Sequence, residues 1–81
     1  MVKVRFYGQF RKAAGADSRE LEAAAGLSLR ELLARAGAGA GSANLVSNLL
    51  VNGRNCMFLQ GLDTLVNDGD VVDVLPVVGG G

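Results

Sequence analysis

Ser28-Leu29-Arg30-Glu31 opens the one helical pattern in this 81-residue chain, and the rest of the sequence has to be arranged around it. The Ser28 hydroxyl and the Glu31 carboxylate are spaced as a capping box, in which each satisfies a backbone N–H that the first helical turn leaves unpaired. Leu29, Leu32, Leu33 and Ala36 follow at i, i+3, i+4 and i+7, which is a single apolar stripe, and Gly37 is placed as the C′ stop. The spacing predicts a short helix over Leu29 to Ala36 with one face against a sheet.

The sheet is written as alternation. Val2, Val4 and Phe6 alternate with Lys3, Arg5 and Tyr7, so a strand from Val2 to Tyr7 has one face in a core. Gly8 to Asp17 reads as a loop, and Arg19 to Ala23 as a second strand completing a hairpin with a long connection. Gly37-Ala38-Gly39-Ala40-Gly41-Ser42 has no lysine and no helix pattern after it, which argues against a phosphate-binding loop. An apolar run from Leu45 to Val51 ends in Asn52-Gly53, the dipeptide that best tolerates the two positive φ angles of a type I′ hairpin turn, and Arg54 to Phe58 returns beside it. Asn67-Asp68-Gly69-Asp70 is a further turn before a last strand, Val71 to Leu75, which Pro76 ends. The order β-β-α-β-β-β gives an α+β fold. The expected core is Phe6, Leu21, Leu29, Leu32, Leu33, Val51, Val72 and Val74.

A chain of this length forms one small domain that buries somewhat over ~60% of its unfolded surface. Eight basic and eight acidic side chains balance without a run of either sign, so neither a nucleic-acid arm nor a membrane-surface patch is written here. Met1 to Arg5 is too charged for a signal peptide, and the single Cys56 has no partner for an internal disulfide, which together point to a reducing, cytoplasmic setting. Without a histidine in the chain, Cys56 reads as a small core residue and not a catalytic thiol. Asp68 and Asp70 are accounted for by turn chemistry, without a general acid/base role. Arg11 and Lys12 read as a solvated loop.

The chain ends Pro76-Val77-Val78-Gly79-Gly80-Gly81. Glycine without a Cβ lets another backbone approach from every side, and six extended residues span roughly 20 Å at ~3.3–3.6 Å each. Such a tail can carry a terminal carboxylate into another protein's active site. The expected division is a folded unit over 1–75 and a tail over 76–81.

Val4-Arg5-Phe6-Tyr7-Gly8 with Arg11 and Ala14-Gly15, Leu49-Leu50-Val51-Asn52-Gly53, Asp68-Gly69-Asp70-Val71-Val72 and the terminal glycines together resemble the small subunit of molybdopterin synthase, within the ubiquitin-like β-grasp sulfur carriers. The resemblance implies a mixed sheet of about five strands with one main helix on one face. It implies a carrier cycle at Gly81, whose carboxylate is adenylated by a ubiquitin-activating-type adenylyltransferase using ATP and magnesium, then converted to a thiocarboxylate by a persulfide donor. That sulfur goes to a cyclic pterin precursor bound by a larger catalytic subunit, in a heterotetramer. This chain then binds no cofactor or metal itself and does not catalyse. Gly79 and Gly80 would thread the partner's channel, while Phe10, Phe58, Leu59, Pro76, Val77 and Val78 would contact the partner. Two departures stand out: Gly79 adds a third glycine, and Val74-Leu75 replaces the aromatic pair common before the tail proline. The same activation chemistry serves thiamine- and cysteine-pathway carriers and protein modifiers joined to lysine through Gly81, so these remain alternatives.

Overall fold

The computed structural model of the chain describes residues 1–22, 26–36 and 48–75. The first strand, β1 (Val2–Phe6), buries Val2, Val4 and Phe6 and exposes Lys3 and Arg5, as its alternation requires. It is followed by α1 (Gln9–Ala14), β2 (Ser18–Leu21), β3 (Leu27–Ser28), α2 (Leu29–Ala36), β4 (Leu49–Val51), β5 (Arg54–Asn55), β6 (Leu65–Val66) and β7 (Val71–Val74). The main sheet has the order β2-β1-β7-β4-β5, with β1 and β7 parallel and the other pairs antiparallel. The last strand among the described residues is thus the middle strand of the sheet. β3 and β6 form a separate two-stranded ribbon.

The helix α2 occupies the predicted bounds. The Glu31 N–H donates to the Ser28 hydroxyl at 3.2 Å, and Leu29, Leu32, Leu33 and Ala36 are buried. Their stripe closes one face of the sheet over Val2, Val4, Phe6, Leu49, Val51, Val72 and Val74, and Leu27 and Val66 join the same core from the ribbon. Full burial of one such aliphatic side chain is worth about 1.5–3 kcal/mol. Of the expected core residues, seven are buried and Leu21, on edge strand β2, is half-buried against the cluster.

The segment expected as a loop between Gly8 and Asp17 contains α1. Gly8 at φ 57° starts it, and Gly15 at φ 72° stops it with its N–H on the Arg11 carbonyl at 2.9 Å. Phe10 and Ala14, one helical turn apart, point into the core. Six residues are too few to show a periodic stripe, and such a helix is held by packing and not by propensity. The Arg11 guanidinium then pairs with Asp17 at 2.8 Å across the connection to β2.

The return strand is shorter than the sequence suggested. Asn52 (φ 53°) and Gly53 (φ 84°) make the expected turn, but β5 ends at Asn55, whose side chain accepts the Met57 N–H at 2.8 Å and starts a 3-10 turn over Cys56–Phe58. A second 3-10 turn spans Gly61–Asp63 before β6. The last strand stops at Val74, one residue before the expected Leu75. Ala23, Gly37 to Ser42, the Leu45–Ser47 part of the apolar run and Pro76 to Gly81 lie outside the described residues.

Candidate functional site at the root of the C-terminal segment

Because β7 is the central strand, its end is fixed from both sides. The Tyr7 N–H donates to the Val74 carbonyl at 3.0 Å, and the Leu75 N–H donates to the Asn48 carbonyl at 3.1 Å. The final six residues therefore start from a point locked to β1 and to the segment entering β4. The predicted Pro76, Val77, Val78, Gly79, Gly80 and Gly81 are all outside the described residues.

An apolar ledge lies near that root. β5 runs antiparallel to β4 with Asn55 opposite Leu50, so the chain continuing through Cys56–Phe58 travels toward the Asn48 end of β4, and this 3-10 turn packs on β4. Cys56 faces inward and is fully buried, while Met57 and Phe58 face out, Phe58 at 83% exposure. Leu59 and Leu65 are also exposed and border, with Gln60 and Thr64, an open hollow of about 440 Å³, and Leu59 lines a second hollow with Val51, Asn52 and Arg54 toward the hairpin tip. Side chains this large are exposed together where an apolar partner surface can cover them. The local reason is the 3-10 turn itself, which turns Cys56 into the core and its two successors out of it. Phe58 and Leu59 are accessible; Phe10, named with them from sequence, is instead a core residue of α1 at 9% exposure. Its ring belongs to the same buried cluster as Phe6, Ala14 and Val74, so little of it can reach a partner.

The other face of the sheet carries a different chemistry. Asp73, buried on β7, accepts the Arg5 Nε–H at 2.5 Å and the Arg5 Nη2–H at 3.0 Å, and the Tyr7 hydroxyl donates to it at 3.4 Å. The hydrogen bond and charge of Asp73 push the Arg5 guanidinium further up from its ordinary value. This bidentate geometry ties the parallel pair β1–β7 together through side chains as well as backbone. Arg5 and Asp73 lie 68 residues apart, on strands whose pairing no local pattern announces. The available signal was that both occupy the outward phase of their strands, but only the β1–β7 register makes them neighbours.

The remaining candidates are structural. Burial pushes the Cys56 thiol up, which keeps it protonated and poorly nucleophilic. Asp70 accepts the Asn67 N–H at 2.8 Å and the Asn52 side-chain N–H at 3.0 Å, and Asp68 pairs with the N-terminal ammonium. Lys12 and Arg11 are exposed, but on α1 and not on a loop. Among the described residues no helix is long and apolar enough to cross a membrane.

A mixed five-stranded sheet holding one long helix on a single face, with the C-terminal strand in its centre, is the ubiquitin-like β-grasp. The sequence profile of the ThiS family matches residues 4–81, and the chain belongs to that family. A protein of Archaeoglobus fulgidus described as a sulfur carrier is 47% identical over 34 residues, a match covering 42% of this chain and 39% of that relative's length. Among solved structures, a protein of Pyrococcus furiosus described as molybdopterin converting factor subunit 1 has a TM-score of 0.72 at 31% identity, covering 95% of this chain and 97% of that one. The small archaeal modifier protein 1 of Methanosarcina acetivorans has a TM-score of 0.71 at 28% identity, covering 99% and 95%.

Proposed function

We propose that the chain is a sulfur carrier acting through its own C-terminus, and that it serves as the small subunit of a molybdopterin synthase. The observation that carries this reading is the position of the tail root. The strand before Pro76 is clamped between β1 and the entry to β4, so the last six residues can reach roughly 20 Å into a partner from a fixed origin. The family match running to Gly81 and the likeness to molybdopterin converting factor subunit 1 support the assignment.

In this reading the Gly81 carboxylate attacks the α-phosphate of ATP on an adenylyltransferase and pyrophosphate leaves; the terminal sulfur of a donor persulfide then attacks the acyl-adenylate with AMP departing, and a thiol of the activating system cleaves the resulting acyl disulfide, taking the donor's sulfur into a disulfide and releasing the thiocarboxylate. The absence of a side chain on Gly81 leaves its carbonyl open to phosphate on one side and sulfur on the other. The thiocarboxylate then enters a larger subunit, with Gly79 and Gly80 in its channel and Pro76, Val77 and Val78 at its mouth. Phe58 and Leu59 press on the partner beside it. The partner supplies catalysis; the buried Cys56 takes no part.

The likeness to a small archaeal modifier protein favours a second reading, in which a lysine amine and not sulfur attacks the same adenylate. Intact mass of the protein from its native host separates the two. A species in which sulfur replaces one terminal oxygen, able to convert a cyclic pterin precursor when mixed with the large subunit, is the expected result. Isolation only as isopeptide conjugates through Gly81 would overturn it in favour of the modifier.

A further inference from the structure

Asn52-Gly53 is the single Asn-Gly dipeptide of the chain, and both ends of the Asn52 amide are engaged. Its Oδ1 accepts the Val71 N–H at 2.9 Å, and its Nδ2 donates to Asp70 Oδ1 at 3.0 Å. The Asn52 backbone N–H meanwhile donates to the Val71 carbonyl at 2.8 Å, so the hairpin tip is buttoned to the start of β7. Asp70 is held in turn, because its other carboxylate oxygen accepts the Asn67 N–H at 2.8 Å and its carbonyl accepts the Lys3 N–H at 3.0 Å. On the far side of the dipeptide, Gly53 at φ 84° has open space where a Cβ would project, so no side chain of its own hinders approach of its nitrogen to the Asn52 side chain.

We propose that Asn52 is a site of spontaneous covalent modification, a deamidation held in check by the hydrogen bonds that anchor its amide to Val71 and Asp70. In the reaction the Gly53 nitrogen attacks the Asn52 side-chain carbonyl carbon, forming a C–N bond. The Nδ2 nitrogen leaves as ammonia, carrying the proton that the Gly53 N–H gives up. Water then opens the five-membered imide at one of its two carbonyls, yielding aspartate or isoaspartate. No oxidant, reductant or enzyme is needed.

Ring closure has to withdraw the amide from both partners, so the clamp sets the rate. The product cannot remake it. A carboxylate at position 52 has no N–H for Asp70 and places a second negative charge where Nδ2 now lies 3.0 Å from Asp70 Oδ1. Isoaspartate also adds a methylene to the backbone of a two-residue turn whose length fixes the β4–β5 register. Modified copies would lose the clamp at the start of β7 while keeping the chain beyond its other end chemically unchanged. This inference is independent of the carrier reading.

The test is peptide-resolved mass spectrometry of the full chain incubated at mildly alkaline pH, folded and in urea. Folded wild type should deamidate at Asn52 more slowly than the unfolded chain. Asp70→Ala should accelerate the folded reaction about fivefold, the factor for losing one ordinary hydrogen bond, and Asp70→Asn, whose single carbonyl oxygen can serve Asn52 only by giving up the Asn67 N–H, should fall between wild type and Asp70→Ala. Equal rates for folded and unfolded wild type, or an Asp70→Ala rate no faster than wild type, would overturn the proposal. If Asp70→Ala does not fold, thermal melting of Asn52→Asp decides: its midpoint should fall and recover in part in Asn52→Asp/Asp70→Asn. An Asn52→Asp protein as stable as wild type would sink the idea.

Discussion

The two ends of β7 are built on opposite principles. At its start, Asn52, Asn67, Asp70 and the backbone of Lys3 and Val71 exchange hydrogen bonds until the polar groups of two turns are tied together. At its finish, two backbone hydrogen bonds hold Val74 and Leu75, and the nearby surface is apolar and uncovered, with Phe58 and Met57 facing water. A polar network that is satisfied internally offers a partner little, whereas an exposed apolar ledge gains from being covered. The closed end stabilises the sheet, and the open end is the side on which the proposed chemistry and docking are placed.

Blocking the Gly81 carboxylate as an amide is the sharpest way to separate the ends. It should abolish ATP-dependent activation while leaving the thermal midpoint unchanged, measured by pyrophosphate exchange and calorimetry; retained sulfuration of the amidated chain would refute the carrier assignment. Next in size is Phe58→Ser, expected to weaken large-subunit binding about 10–100-fold by titration calorimetry with little loss of stability, the behaviour of a contact residue that is 83% exposed in the free protein. Asn52→Ala should do the reverse. Losing two side-chain hydrogen bonds and forcing alanine to φ 53° should cost about 1–3 kcal/mol in urea unfolding, with sulfur transfer intact while the protein is folded.

Between the ends, Arg5 and Asp73 offer a finer comparison. Arg5→Ala strands a buried carboxylate, while Asp73→Ala leaves a half-exposed guanidinium free to turn to water, so Arg5→Ala should be the less stable of the two. Melting temperatures of both variants equal to that of the wild type would mean that the pair contributes nothing to the sheet. The smallest effect belongs to Cys56→Ala, expected to cost about 1 kcal/mol of packing and no activity. In the wild type the thiol should react with iodoacetamide only as fast as the chain opens, since burial both hides it and holds it protonated.

Features whose cause lies within a few residues could be read from the sequence. The helix Leu29–Ala36 was legible because its cap and its apolar stripe are both local, and the Asn52-Gly53 turn because only a few residue types accept two positive φ angles. The alternation of Val2, Val4 and Phe6 gave β1 its buried face for the same reason. The tail composition by itself named the class of chemistry to look for, although it said nothing about where the tail is rooted.

Tertiary structure decided what depends on partners distant in sequence. α1 is too short to announce itself and forms because Phe10 and Ala14 have a core to enter, which also removes Phe10 from the surface. Strand propensity over Arg54 to Phe58 yielded to a 3-10 turn, because Asn55 caps the Met57 N–H and Cys56 is drawn into the core. The parallel pairing of β1 with β7 joins residues 68 apart, brings Arg5 to Asp73 and puts the last strand in the middle of the sheet. Local propensity cannot specify such a pairing, because its energy comes from burying one face of each strand under α2 and its cost is the closure of nearly the whole chain.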